Sequence, residues 1–552
     1  MCVYKKLWEN IIIFDQIENK HGRIMPTRLL ALLLAITAVA ACSKTPVQLQ
    51  TPKGELLGYV DENVEHYLGV PYAQPPVGDL RWRAPLPIEP WQGTLSAQHN
   101  ANICVQFSPL SGSLTGDEDC LYLNVWTPAE KPDKPMPVMV WLHGGGFIIG
   151  QGSYTKEDGQ RLAARQDVVV VAINYRLGIF GFMAHQALTN EDAEHPTSGN
   201  YGIEDQTAAL RWVQANIRAF GGDPDNVTIF GQSAGGISVC AQLASPLASG
   251  LFHQAVIQSG PCVGPMSSRA AVSKLGAKAE ASLGCDTATD TLGCMRKKSA
   301  EEVANTLPPD PSLGFGKGFT FWWPVHDDRV LPLQFMDAFE SGQFNKVPVI
   351  NGSTLDEATL LIWMSHNLRF KPLQAEQYLT RLEYLTGSSE LAEQVAQQYP
   401  LADYESPYAA LTASFSDGYF NCMTRQQAQA LSNHVPLWSY QFNYREAPFF
   451  IPWADLKAFH AAEIQYVFGQ PMSFTRQNFK EKETALADSM MSYWGTFARS
   501  GNPNGSGPIT WPAYGDSDQT LLFNLQNSIA NGVHKQDCRF WQELPYLRAP
   551  YH

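Results

Sequence analysis

Positive charge is scarce in this 552-residue chain. Lys and Arg number 39 against 53 Asp and Glu, giving a formal net charge of −14, and charged residues make up 17% of the whole. No basic patch interleaved with aromatics occurs, which excludes a nucleic-acid surface as the function. The acidity otherwise serves mainly solubility. A long hydrophobic span is lacking too. The apolar run from Leu29 to Ala41 is about a dozen residues, too short for an ordinary membrane-crossing helix. No Ser/Gly/Pro-rich linker, charge block or internal repeat divides the chain. Residues 43–552 therefore read as one large α/β domain, big enough to bury an extensive core. No Cys/His spacing resembles a zinc site, so no metal is expected.

What is present begins at the N-terminus. Met25-Pro26-Thr27-Arg28 is a short basic start, followed by the apolar run and then Val39-Ala40-Ala41-Cys42. Such an order describes a secretory signal. Its last four residues look like a bacterial lipobox, in which the cysteine is lipidated and becomes the mature first residue. Ser43, rather than Asp, resembles the outer-membrane sorting pattern. Residues 1–24 fit no signal, so Met25 is the expected start and 1–42 the leader. The expected location is an outer membrane reached through lipidated Cys42. Simple cleavage near Cys42, giving a periplasmic or secreted protein, is the alternative. Either route reaches an oxidising compartment where disulfides are allowed.

The most informative stretch is Gly231-Gln232-Ser233-Ala234-Gly235, between the β-branched run Val227-Thr228-Ile229-Phe230 and a helix-compatible segment. Gly-x-Ser-x-Gly at a strand-to-helix turn is a nucleophile elbow, whose small neighbours let one serine hydroxyl stand clear of a sheet. Alone the pattern is weak. Upstream, however, the buried run Val138-Met139-Val140-Trp141-Leu142 leads into His143-Gly144-Gly145-Gly146-Phe147, the oxyanion signature that accompanies such elbows. Other signals alternate strand with helix. The Val-rich stretch Asp167–Ile173 predicts a strand covered on both faces, as do Gln254–Gln258, Lys346–Asn351 and Leu437–Phe442. Thr207–Phe220 and Thr484–Arg499 have helical spacing. Residues 360–431 are mostly helical in composition and predict a cap.

With Tyr67-Leu68-Gly69-Val70-Pro71-Tyr72-Ala73, Glu118-Asp119-Cys120-Leu121-Tyr122-Leu123-Asn124, Asn174-Tyr175-Arg176 and Gly199-Asn200-Tyr201-Gly202-Ile203-Glu204-Asp205-Gln206, the chain resembles the type-B carboxylesterase/lipase family. That family is the cholinesterase-like branch of the α/β hydrolases. The resemblance runs from about residue 48 to the C-terminus. It implies an α/β-hydrolase fold, with a central mostly parallel sheet flanked by helices. It also implies a serine carboxylic ester hydrolase that works without cofactor through an acyl-enzyme at Ser233. Lipase or amide hydrolase activity is the alternative, or an inactive binding module. Such modules lack part of the triad, which here is present.

The serine needs a base, and the base an orienting acid. The resemblance assigns the acid to Glu357, with Ala358 in place of the usual glycine and Asp356 as competitor. It assigns the base to His460, with Ala461 where glycine is usual. Oxyanion donors are the backbone N–H groups of Gly145, Gly146 and Ala234. His143 is expected to brace the glycine loop, and Glu463 to pair with a basic neighbour. The family's disulfides map onto Cys104–Cys120, Cys285–Cys294 and Cys422–Cys538. This leaves Cys240, read as a core thiol, and Cys262. The substrate implied is a small uncharged ester rather than a choline ester. The loop from Cys104 to Cys120 has Phe107 as its single aromatic, and neutral Gln232 precedes the nucleophile. Phe319, Phe321, Trp322 and Trp323 either line the acyl side or fill core.

Overall fold

A computed structural model describes residues 44–109, 111–307, 322–366, 372–451 and 454–544. Cys42, Phe319 and Phe321 lie outside them. The described residues form fifteen strands: β1 Thr45–Thr51, β2 Gly54–Asp61, β3 Val64–Pro71, β4 Thr94–Ser96, β5 Gln106–Phe107, β6 Leu114–Thr115, β7 Tyr122–Pro128, β8 Met136–Leu142, β9 Val169–Ile173, β10 Gly222–Gln232, β11 Gln254–Gln258, β12 Val349–Thr354, β13 Leu437–Phe442, β14 Gln519–Phe523 and β15 Ser528–Asn531. Thirteen of them make one sheet, ordered β1-β2-β3-β7-β9-β8-β10-β11-β12-β13-β14-β15, with β4 beside β2. From β9 to β14 every neighbouring pair is parallel, and the outer pairs are antiparallel except that β4 runs parallel to β2. This is the α/β-hydrolase fold expected from the resemblance.

The central strands are apolar almost without interruption because helices cover both faces. Side chains still alternate between two cores. Val169, Val171 and Ile173 of β9 join one cluster, while Val170 and Ala172 join the other. Each fully buried Val or Ile is worth roughly 1.5–3 kcal/mol of transfer free energy.

Element boundaries move where proline or glycine intervenes. β12 starts at Val349, behind Pro348, rather than at Lys346, and it runs on to Thr354. β9 starts at Val169, after Asp167 turns through φ 49° to end the preceding helix. The predicted helix at 207–220 is Tyr201–Asn216 plus a short 3-10 turn, closed by Gly221 at φ 85°. The late helix spans Glu481–Ser500. Between 358 and 432 the described residues form the helices Ala358–His366, Tyr378–Thr386, Ser389–Gln398, Pro407–Ser416 and Cys422–Ser432, and no strand. These helices share a third apolar cluster with Trp541 near the C-terminus.

All three expected disulfides are formed. The reading of Cys240 as a core thiol is wrong: it is bonded to Cys262. The bridge ties the helix that follows Ser233 to the loop that follows β11.

The family-like motifs outside the site are scaffold. Arg176 and Asp205 form a buried bidentate pair at 2.7–2.8 Å. Asn124 accepts from Gly69 N–H and donates to the Gly152 carbonyl, joining β7 to β3 and to the loop that carries Gly152.

Candidate active site

Ser233 sits between β10 and the helix Ala234–Ala244 at φ 59°, ψ −124°. A non-glycine residue holds this conformation only when its surroundings enforce it. Here they do. Ser233 N–H donates to the Gln258 carbonyl on β11 at 2.9 Å. A Cβ on Gly235 would overlap the Leu142 carbonyl oxygen, and one on Gly231 would overlap the Gly235 carbonyl. The glycines thus let the helix start pack directly against the end of β8.

β8 delivers the glycine loop to the same place. Gly145, Gly146 and Phe147 all have positive φ, at 117°, 62° and 61°. A Cβ on Gly145 would strike the Ile149 carbonyl, and one on Gly144 would lie 3.2 Å from Ser233 Cβ. Loop and nucleophile are therefore in van der Waals reach. His143 braces the loop as expected. Its ring stacks on Tyr175 at 4.3 Å, and Nδ1 donates to the Gly144 carbonyl at 2.9 Å. Burial lowers its pKa to about 4, so the imidazole is neutral and transfers no proton at ordinary pH.

β12 and the loop before helix Ile464–Val467 bring in the other two groups. Glu357 is fully buried and accepts from Thr354 N–H at 2.7 Å through Oε1. Its Oε2 faces His460 Nδ1 at 2.5 Å. Nδ1 must donate to that carboxylate, so the Nε2 lone pair is turned inward to the elbow. Asp356 turns the other way. It pairs with Arg445 at 2.8 and 2.9 Å and accepts from Ala458 N–H at 3.1 Å, bracing the loop ahead of His460.

Two neighbours of His460 were not anticipated from the sequence. Gln232 Nε2 stands 3.2 Å from His460 Nε2, and the Phe420 ring lies 5.0 Å from the imidazole. The sequence placed Gln232 beside the nucleophile but carried no signal of its contact with residue 460. For Cys240–Cys262 a signal existed: with the leader's Cys2 and Cys42 set aside, eight of ten cysteines remain, an even number.

Glu463 departs from expectation. Among the described residues no Lys or Arg pairs with it. It is fully buried, and Oε1 accepts one bond from Gln258 Nε2 at 3.3 Å. Burial first, and the nearby Glu357 charge second, raise its pKa to about 7. Trp322 is core, whereas Trp323 packs edge-on against Phe147 of the glycine loop at 5.8 Å. Phe107 is buried in its disulfide loop. Away from the site, Asp417, His534 and Asp537 offer ligand atoms within 4.8 Å of one another, but His534 Nδ1 is already paired with Asp417 at 3.2 Å.

A model of the carboxylesterase family matches residues 45–541. The para-nitrobenzyl esterase of Bacillus subtilis (strain 168) is 38% identical over 497 residues, covering 87% of this chain and 95% of the relative. The human cocaine esterase is 33% identical over 553 residues, covering 93% and 94%. A solved PNB esterase structure superimposes with a TM-score of 0.75 at 33% identity, over 90% of this chain and 100% of that one.

Proposed function

The chain belongs to the carboxylesterase family and is a carboxylic ester hydrolase, and from that premise we propose that Ser233, His460 and Glu357 are its nucleophile, base and orienting acid. The observation that carries this reading is the Glu357–His460 bond at 2.5 Å, with the imidazole's other nitrogen, Nε2, held 3.2 Å from the side chain of Gln232, the residue before Ser233. Ser233 Oγ attacks the ester carbonyl carbon while His460 Nε2 takes the hydroxyl proton. The oxyanion accepts hydrogen bonds from Gly145, Gly146 and Ala234 N–H, each worth about 3 kcal/mol because it strengthens only as charge develops. The intermediate collapses, and His460 returns its proton to the departing alcohol. Water, deprotonated by His460, then cleaves the acyl-enzyme and restores the Ser233 hydroxyl.

The test is stoichiometric labelling by an alkyl phosphonate. Wild type should take up one equivalent on Ser233 and lose activity in step. A folded Ser233→Ala protein that still hydrolyses esters at near the wild-type rate would overturn the assignment.

The substrate is an uncharged ester. Quaternary ammonium recognition needs an exposed aromatic face, and Phe107, the one aromatic in the Cys104–Cys120 loop, is buried. Gln232 adds no negative charge beside the site. The name of the Bacillus relative, a para-nitrobenzyl ester hydrolase, points the same way. We read 43–552 as one domain whose helices near 360–431 cap the site. The lipobox-like ending at Cys42 supports an exported protein held at a membrane by an acylated cysteine. The mass of the mature N-terminus checks this, and a soluble product starting a few residues past Cys42 would exclude it.

A further inference from the structure

Gln232 occupies a position between three parts of the site at once. It is the last residue of β10 and is buried. A side chain on Gly144 would come within 2.7 Å of the Gln232 carbonyl oxygen and 3.1 Å of Oε1. The bare Cα of Gly144 is thus what leaves room for the Gln232 amide. The other end of that amide, Nε2, reaches His460 Nε2 at 3.2 Å. Since Nδ1 of His460 is committed to Glu357, the amide N–H donates to the Nε2 lone pair. That lone pair is the one the Ser233 proton needs.

We propose that Gln232 is a positioning residue that acts on the reaction through His460, holding the neutral imidazole in its working tautomer and disfavouring the imidazolium in the resting enzyme. The inference rests on the triad reading above. Once His460 is protonated at Nε2, its N–H faces another N–H donor. The mismatch is relieved only when the amide rotates to offer Oε1. An amide is neutral, so even then it gives the cation much less than a carboxylate would. The remaining charged groups facing His460 are Glu357 after β12 and Glu463 at the start of the next helix. Phe420 covers the ring with an apolar face. Both carboxylates are unchanged by substitution at 232, so variants there isolate the amide.

Two nearly isosteric variants test this by the pH dependence of kcat/KM for a neutral aryl ester. The Q232E variant puts a carboxylate within about 4 Å of the imidazole, which favours its charged form. The acid limb should move up by at least one pH unit, so activity on that limb falls about tenfold relative to wild type at the same pH while phosphonate labelling of Ser233 at high pH stays complete. Q232M keeps the volume and removes the donor. It should move the limb up by less than Q232E, and lower kcat with little change in KM. If Ser233 is labelled in both variants yet both acid limbs coincide with wild type, Gln232 does not act through His460 and the proposal is overturned. A failure of labelling at Ser233 in the wild type would instead refute the triad reading, so the two failures are distinguishable. Should Q232E not fold, a Q232M limb superimposed on wild type overturns the proposal by itself.

Discussion

Replacing Glu463 by Gln should stabilise the protein at neutral pH by an amount that vanishes in acid. Glu463 is buried, among the described residues without a Lys or Arg partner, and its pKa is raised from 4.5 to about 7, by burial and then by Glu357. The folded state therefore keeps a proton that the unfolded chain releases between those values. The sign follows: this group's contribution is complete below pH 4.5 and is lost as pH rises through 7. Each tenfold change in proton affinity is worth about 1.4 kcal/mol, so the loss is on the order of 3 kcal/mol. Glutamine keeps an oxygen for the Gln258 donor and cannot ionise. Urea-unfolding midpoints of wild type and Glu463→Gln, taken from pH 4.5 to 8, give the comparison. Titrating groups that do not face Glu463 cancel in the difference, which leaves Glu463 itself and its coupling to Glu357 and His460. The variant's advantage should grow with pH and level off above 7. A difference that is constant across the range would show that Glu463 is already ionised without penalty, and the reasoning would fail.

Glu357→Gln should cost about 10⁴-fold in kcat, because the base loses the carboxylate that fixes its tautomer. Asp356→Asn removes a partly exposed pair with Arg445, worth about 1 kcal/mol or less, and should leave kcat within about tenfold; reversed effects would exchange their roles. Loss of the Cys422–Cys538 bridge, which closes 116 residues, should cost about 5 kcal/mol, against about 2.5 kcal/mol for Cys285–Cys294, which closes 9, since chain entropy grows with loop length. Paired Cys→Ala variants compared by denaturant midpoint test that order, and equal losses would contradict it. With acyl group matched, a neutral aryl ester should show a higher kcat/KM than a choline ester; the opposite ranking would mean that another aromatic face supplies a cation site.

By itself the sequence determined what local chemistry dictates. Gly-x-Ser-x-Gly after a β-branched run fixes an elbow, because only small neighbours permit the positive φ of Ser233 and the close approach of Gly235 to Leu142. His143-Gly144-Gly145-Gly146 fixes an adjacent backbone loop for the same reason. Uninterrupted apolar runs fixed the buried strands, with ends displaced by a few residues where Pro348 and Asp167 interrupt them. The tertiary structure decided everything that depends on direction or distance in space. Asp356 and Glu357 are adjacent and chemically alike, and family resemblance favoured Glu357. One turn of the chain sends the first to Arg445 and the second to His460, 103 residues away. Gln232 meets His460 across 228 residues, and Glu463 meets Gln258 across 205. Cys240 finds Cys262 only because the helix after Ser233 packs beside the end of β11. Such contacts leave no periodic trace in the chain, because the partners come from different strand ends that only the assembled sheet, parallel from β9 to β14, brings together.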